Sequence, residues 1–514
     1  MKFIGIRLDE HDSNISYSDG VNVKYLKSER KHQVKHHCYN NFDHPWFVKD
    51  LIDFVGGNFT DIDAIAVVAD PEWHVNESFT YDPNKLFEQV NIKLFSELDC
   101  PVFRLDHHYA HALSLWTSGK NFDTHIVMDG WGDHERGFSF FKGNNLESFE
   151  TVRNMESIGR ILAEVGYRFD MTGHDQDFAG KLMGLKSHGK INQELYDSFS
   201  SYTLRNASDI YATFEKTVDW LCTAHKKFED LFPKFFGEYL KDTDVFGYTG
   251  GVAQNTVINN ELISRFPNIH IPPHCADEGL SLGCVEFLRQ YYDQEPFSTD
   301  GFPFWQSDEA PDTEPSDETI ERVSEYLAQG KIVGWYQGHG EVGPRALGNR
   351  SILMDPSLPD GKDFINKKVK HREHYRPFGA SVLEDDVSKY FDWSVPSEYM
   401  LFVTKVLSDS FPAITHVDGT CRIQTVSDLN SHYYKLLNSF KQKTGIPMLL
   451  NTSLNVGFWC IWWKANDTCK PPNCCADDHR TNCRMYRPAE RKDMEVISFS
   501  PICHIGYVAC TNIP

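Results

Sequence analysis

Apolar residues cluster in short runs at the start of this chain and settle into helical spacing further on. Residues 2–6, 15–17 and 21–25 read as three strands, with Asp19-Gly20 as a hairpin signal between the last two. Residues 64–68 and 125–128 are continuous apolar runs with an acid at the end, Asp70 and Asp129, and predict buried strands. Helical spacing follows His107, returns over residues 157–165 and covers 224–240. Residues 293–317 are acidic, hold four prolines and lack periodicity, which makes 301–317 the expected connector. A helix is predicted at 318–329 and a strand at 331–336. The pattern predicts an α/β protein with a large domain over 1–300 and a smaller one over 318–456.

Composition supports that size. At 514 residues, 40% hydrophobic, the chain is too long for one core, since cores seldom grow beyond roughly 250–300 residues. No apolar segment approaches the ~20 residues that span a bilayer, and residues 1–12 lack the apolar run of a signal peptide. A cytoplasmic location without membrane attachment is expected. The net charge of −22 argues against broad affinity for nucleic acid or anionic membranes. Of the 13 cysteines, seven crowd into the tail, from Cys460 to Cys510.

Against that acidic background, residues 345–376 hold eight Lys or Arg and four Asp or Glu, across a loop reading GHGEVGPRALGNRSILMDP at 338–356 and the KHREHYRPF run that follows it. Arginine forks donate two parallel hydrogen bonds to an oxyanion, so Arg345, Lys370, Arg376 and Arg422 predict a phosphate-sized anion site. Asn451 and Ser453, in IPMLLNTS, add small polar groups at a strand end. A solvated basic surface is the bland alternative.

Three further constellations carry chemistry. His107 and His111 stand four apart in a helical segment and so share one face, as a metal ion needs. Asp129 and Asp277 could complete the shell, and two imidazoles with two carboxylates suit Fe²⁺, Mn²⁺ or Zn²⁺ better than Ca²⁺. The alternative is a coincidence of core packing. Gly250 and Gly251, with Gln254 and Asn255, lie where a strand turns into a helix, and with Gly279 they suit nucleotide oxygens. His11 beside Asp12 follows the first strand, and a histidine paired with an acid can act as general base. A histidine that merely satisfies a turn is the competing reading.

Taken in order, HDS at His11, HHxxHA at His107, DGxG at Asp129, KLMGLKSHG at Lys181, GGVAQN at Gly250, DEGLSLG at Asp277, EVGPRALGNRSIL at Glu341, VKHREHYRPF at Val369, DGTCRIQTV at Asp418 and LNTSLNV at Leu450 resemble the O-carbamoyltransferase family typified by nodulation protein U and the antibiotic-tailoring enzymes. The resemblance implies an actin/Hsp70-like (ASKHA) large domain and a YrdC-like small domain. It implies that carbamoyl phosphate binds Arg345, Lys370, Arg376, Arg422, Asn451 and Ser453. ATP, with Mg²⁺, then yields a carbamoyladenylate. It further implies that a metal, Fe²⁺ foremost, sits on His107, His111, Asp129 and Asp277, while His11 and Asp12 are the catalytic pair that activates an acceptor hydroxyl. The acceptor would be a small metabolite, a sugar, or a hydroxymethylpyrimidine as nucleotide or in DNA, with contacts expected around residues 190–240. A homodimer is compatible with this. The rival classes are an actin-fold ATPase or sugar kinase and an inactive metal- or nucleotide-binding homologue. After Val456 the motifs stop. The tail, 457–514, reads as a Cys/His zinc module built on Cys469, Cys474, Cys475, His479 and Cys483, or as out-of-frame translation.

Overall fold

The computed structural model describes the chain apart from residues 9–10, 40–41, 58, 60, 70–81, 83, 144–149, 155–156, 169–170, 172, 199–213, 308–313, 428–430, 457–458, 461–494, 498–507 and 512–514. Asp70, the five proposed zinc ligands of the tail and part of the expected acceptor region lie outside the described residues.

The first sheet is built from β1 (Phe3–Arg7), β2 (Asn14–Ser18), β3 (Val23–Lys27), β4 (Ala64–Val68), β5 (Phe87–Val90) and β6 (Val102–Leu105), in the order β3-β2-β1-β4-β6-β5. β1, β2 and β3 form an antiparallel meander, and β4 and β6 continue parallel to β1. The predicted hairpin closes through Asp19, whose N–H donates to Asn22 O at 3.2 Å. β1 and β4 are buried throughout, so both faces must be covered, which explains their unbroken apolar sequences. Alternation still sorts the side chains. Ile4, Ile6, Ile65 and Val67 pack with Phe47 and Leu51 of the helix Pro45–Val55. Phe3, Ala64, Ala66 and Val68 pack with Leu282 and Val285 of the helix Leu280–Tyr291.

The second sheet repeats the plan. β7 (Thr124–Gly132), β8 (Arg136–Lys142) and β9 (Glu150–Asn154) form an antiparallel meander, and β10 (Phe246–Thr249) and β11 (Ile269–His270) follow in parallel. Its order, β11-β10-β7-β8-β9, mirrors the first sheet without its edge strand. This doubled meander-plus-parallel plan is the actin-like architecture that the sequence motifs imply. The helix predicted at 224–240 is longer and starts earlier, at Phe214–Phe236, where Trp220, Leu221 and Phe228 face the core of the second sheet.

The third sheet mixes directions. β12 (Ile332–Tyr336), β13 (Arg350–Met354), β14 (Gly379–Leu383), β15 (Phe402–Lys405), β16 (Thr420–Val426) and β17 (Met448–Ser453) lie in the order β15-β16-β14-β17-β13-β12. The short strands β18 (Asn455–Val456) and β19 (Trp459–Cys460) pair with each other, and β20 (Glu495–Ile497) and β21 (Val508–Thr511) extend the sheet beyond β12. Helices Asp317–Ala328 and His432–Thr444 cover one face, burying Leu327, Leu436 and Phe440.

The stretch expected as a connector is tightly bonded on both sides. Trp305 O accepts from Tyr25 N–H, Gln306 Oε1 accepts from Lys27 N–H, and Gln306 N–H donates to Gly340 O. Its apolar residues explain this, because Phe297 and Trp305 are buried in the core around Tyr25. No helix among the described residues is long and apolar enough to cross a membrane.

Candidate functional site

The helix His107–Ser114 follows β6 directly, and Asp106 caps it by accepting the Tyr109 N–H at 3.0 Å. Its i, i+4 face presents His107 and His111 toward the end of β7. There the β7–β8 register shifts between Met128 and Gly132, which turns Asp129 out of the ladder. Asp277 arrives from the turn preceding the helix Leu280–Tyr291. His107 Nε2 lies 3.4 Å from both Asp129 Oδ2 and Asp277 Oδ1, and His111 Nε2 lies 3.0 and 3.3 Å from the same atoms. The four ligand atoms fall within 4.8 Å of one another, and all four residues are buried.

The donor set fits a divalent cation. Metal–nitrogen bonds of about 2.0–2.1 Å in a tetrahedral array separate the ligand atoms by about 3.3 Å, which matches these edges. Each carboxylate also spends its other oxygen on the protein. Gly130 N–H donates to Asp129 Oδ1 at 2.6 Å, and Arg7 Nη2 donates to Asp277 Oδ2 at 2.9 Å. Such outer contacts fix ligand orientation. His108, between His107 and His111, points away and bonds Ser139 Oγ at 2.7 Å.

Gly250 is where the fold leaves no alternative. It has φ +95°, and a Cβ there would stand 2.1 Å from Met128 O, so the Gly-Gly turn lies directly on β7 beside Asp129. Gly250→Ala is expected to destabilise the protein by about 3 kcal/mol, the combined cost of strain and overpacking. Chemical denaturation measures this, and a change under 1 kcal/mol contradicts the close approach. Asn255 is fully committed within the protein: its Oδ1 caps the helix Thr256–Arg265 by accepting Ile258 N–H, and Nδ2 faces His225 Nε2 at 3.2 Å. His225 is in turn held at Nδ1 by Glu229 at 2.8 Å, and Glu229 pairs with Lys186 at 2.7 Å. Gln254 contributes its backbone carbonyl, which accepts from Arg345 Nη2 at 3.4 Å.

His11 and Asp12 stand next to the tetrad. His11 Nδ1 lies 3.1 Å from Asp12 Oδ2, and its Nε2 lies 3.9 Å from Asp277 Oδ2. Burial disfavours the Asp12 carboxylate, but Lys27, at 3.1 Å from Oδ1, and the histidines hold it well below the usual range. An ionised Asp12 is an acceptor only, so His11 carries a proton on Nδ1 toward it. Lys27 also meets Glu278 at 3.1 Å.

The cations of the small α/β unit gather as expected, and the loop that carries them is pinned by an acid. Glu341 Oε1 accepts three backbone N–H groups, from Leu347, Asn349 and Arg350, at 2.9 to 3.2 Å. Gly343 sits so close to the segment preceding Asp277 that a Cβ would lie 2.0 Å from Pro273 O. Burial, then the neighbouring guanidiniums, lowers Arg422 far below its ordinary range. Arg372 is pushed down to about 9 by burial and Arg376. The Nε atoms of Arg345 and Arg422 are buried without a hydrogen-bond partner. Glu373, the nearest acid to Arg376 at 3.8 Å, is shared with Lys181 at 3.1 Å.

Other expected anion ligands are placed differently. Lys370 clamps the end of β17, donating to Asn455 Oδ1 at 2.6 Å and to the Ser453 carbonyl. Ser453 Oγ donates to Asn455 Oδ1 at 2.7 Å. Asn451 gives Nδ2 to Ala346 O and Ser381 Oγ, and its buried Oδ1 has no partner.

The family profile described as the carbamoyltransferase C-terminus matches residues 324–470, carrying the likeness past Val456. Nodulation protein NolO of Bradyrhizobium diazoefficiens is 39% identical over 402 residues, covering 68% of this chain and 73% of that protein. The chain belongs to the carbamoyltransferase family. Nodulation protein NolNO of Sinorhizobium fredii is 28% identical over 500 residues, covering 85% of this chain and 73% of that one. Among solved structures, full-length HypF in its phosphate- and nucleotide-bound form is similar over 58% of this chain and 47% of that one, at 14% identity and a TM-score of 0.40. The family profile and the NolO likeness make this chain a carbamoyltransferase, a transferase enzyme on an α/β scaffold.

The sequence reading missed Arg372, His36, Lys27, Asp177 and the His225–Glu229–Lys186 chain. Arg372 could have been found in the KHREHYR run. Lys186 lies in the KLMGLKSHG motif, and His225 and Glu229 stand four apart on one helix, whereas His36 and Asp177 have no local signal because Asp12 and His36, which give them meaning, lie far away in sequence.

Proposed function

We propose that this carbamoyltransferase works in two steps, joining the carbamoyl group to AMP in the 318–456 unit and transferring it to an acceptor hydroxyl in the 1–300 unit. The observation that carries the reading is the arginine cluster. Arg345, Arg372, Arg376 and Arg422 repel one another, and a bound phosphate would relieve that repulsion. Carbamoyl phosphate would take up water to give phosphate and carbamate. The carbamate oxygen would then attack the α-phosphorus of ATP, accompanied by Mg²⁺, breaking the α–β anhydride and releasing pyrophosphate. The buried Nε–H groups of Arg345 and Arg422 supply donors to phosphate oxygens, and the unpartnered Asn451 Oδ1 suits the carbamoyl NH₂ better than an anion.

For the transfer step, His107, His111, Asp129 and Asp277 would hold a divalent cation, with Fe²⁺, Mn²⁺ and Zn²⁺ all compatible with two imidazoles and two carboxylates. When bound, it supplies positive charge against the adenylate phosphate. The Gly250-Gly251 turn lies beside Asp129, whereas Gly279 packs against the His274 carbonyl and Ser114. Asp12 orients His11, whose Nε2 takes the acceptor proton as the hydroxyl oxygen attacks the carbamoyl carbon and AMP departs. The acidic balance favours a small hydroxylated metabolite, sugar or nucleoside over duplex DNA as acceptor.

The test is pyrophosphate release from ATP with and without carbamoyl phosphate, read by mass spectrometry. Release that requires carbamoyl phosphate is expected. ATP turnover indifferent to it returns the protein to the ATPase or kinase class.

A further inference from the structure

Next to the proposed base lies a cluster that no motif marks. His36 donates from Nδ1 to Asp12 Oδ2 at 3.1 Å and faces Asp177 Oδ1 from Nε2 at 3.5 Å. With an acid at each ring nitrogen, the imidazole is held in its doubly protonated form. Burial works against that charge, but Asp12 and Asp177 outweigh it and push His36 up to about 9. Its backbone N–H donates to Glu29 Oε2 at 2.9 Å, and its ring stacks on His174 with centroids 4.5 Å apart. Asp177 in turn pairs with Lys35.

The backbone here is strained on both sides of the contact. Asp12 has φ 53° and His36 has φ 56°, left-handed conformations that cost a non-glycine residue about 1 kcal/mol or more each. Such strain persists where the surroundings over-determine a position, and here it brings the His36 ring onto a carboxylate 24 residues away. The Asp12 carboxylate is consequently gripped at both oxygens, with Lys27 opposite Oδ1 and the two histidines on Oδ2.

Asp12, Glu29 and His36 also bring ligand atoms within 4.8 Å of one another. A metal there is disfavoured because the Lys27 ammonium already stands 3.1 Å from Asp12 and 3.5 Å from Glu29. The charge that a cation would supply is provided by the chain.

We infer that His36, backed by Asp177, is a positioning residue for the transfer step: it locks the Asp12 carboxylate so that His11 keeps its proton on Nδ1 and presents Nε2 as the acceptor. The inference rests on the proposed role of His11 as base. It also joins that base to the helix Phe178–Leu185, since Asp177 immediately precedes it. The three groups act in sequence, Asp177 on His36, His36 on Asp12, and Asp12 on His11.

The experiment uses the full chain, metal-loaded, with His36→Ala, His36→Gln and Asp177→Asn. Three readouts are compared: carbamoyl-phosphate-dependent pyrophosphate release, AMP release from carbamoyladenylate with water as the acceptor, and the His11 tautomer by ¹⁵N NMR at mildly alkaline pH. His36→Ala is expected to lower AMP release about tenfold or more. Pyrophosphate release stays within about twofold, because the arginine cluster is untouched, and the His11 signal becomes a mixture of tautomers. His36→Gln keeps one donor toward Asp12 and recovers part of the loss. Asp177→Asn gives a smaller decrease of the same kind. An unchanged His11 tautomer with unchanged AMP release in His36→Ala overturns the inference. If His36→Ala does not fold, His36→Gln and Asp177→Asn decide, and wild-type behaviour in both overturns it equally. Wild-type protein that makes no pyrophosphate sinks the two-step reading instead, while the tautomer still decides the role of His36.

Discussion

Asp129→Ala is expected to abolish metal binding and to lower acceptor-free AMP release by about three orders of magnitude, while carbamoyl-phosphate-dependent pyrophosphate release should stay within about twofold. The size follows from charge. The tetrad is the only set among the described residues that places two imidazoles and two carboxylates within 4.8 Å. Losing the cation removes several kcal/mol of transition-state stabilisation, and each 1.36 kcal/mol is a factor of about ten. The selectivity follows from placement, since Asp129 belongs to β7 of the second sheet whereas the arginines belong to the third sheet and its loops. Elemental analysis of purified protein gives the metal content directly. A variant that retains its full metal complement contradicts the ligand assignment, and equal loss of both half-reactions contradicts their separation. Gly130 makes Asp129→Asn a useful companion: the amide can still accept from Gly130 N–H, now at 2.6 Å from Oδ1, so folding is preserved while the anionic ligand is lost.

Arg422→Met is expected to inactivate adenylation and to stabilise the protein. Four guanidiniums compete for little negative charge, and Arg422 feels burial first and Arg345 next. Replacing a buried, poorly compensated cation with an apolar side chain of similar length is expected to add about 1 kcal/mol. For a unit of this size, that raises the melting temperature by roughly 2–4 °C. Pyrophosphate release should fall at least about a hundredfold, as for removal of one preorganised donor to a developing anion. Inorganic phosphate closes the argument. It should raise the melting temperature of the wild-type protein, because binding to the native state alone is stabilising, and should do so much less in the variant. Lower stability in Arg422→Met, with phosphate stabilising both proteins alike, would show that Arg422 serves the fold and not the anion.

The two effects differ in how far the sequence foretold them. The tetrad was legible because helical periodicity alone puts His107 and His111 on one face, and because each acid follows or precedes an element that could end at a site. Arg345, Arg376 and Arg422 were legible as charge against an acidic background. Lys370, Ser453 and Asn255 are the opposite case. Their residue types suit an anion or nucleotide, yet Lys370 is spent on Asn455 and Ser453, and Asn255 on Ile258 and His225. A donor's chemistry is visible in sequence, but which acceptor reaches it first is decided by packing.

The amino-acid sequence by itself determined β1 to β4, β7 and β12, four of the helices, the α/β class and the family, because periodicity, turn residues and ordered motifs are local properties. The tertiary structure alone decided that the supposed connector is bonded to β3 and to the Gly340 loop, that Glu341 organises the loop bearing Arg345, and that His36 and Asp177 converge on Asp12. These contacts join residues far apart along the chain, through carboxylates and carbonyls that any loop could offer. Only the closed fold brings each one within hydrogen-bonding distance of its partner.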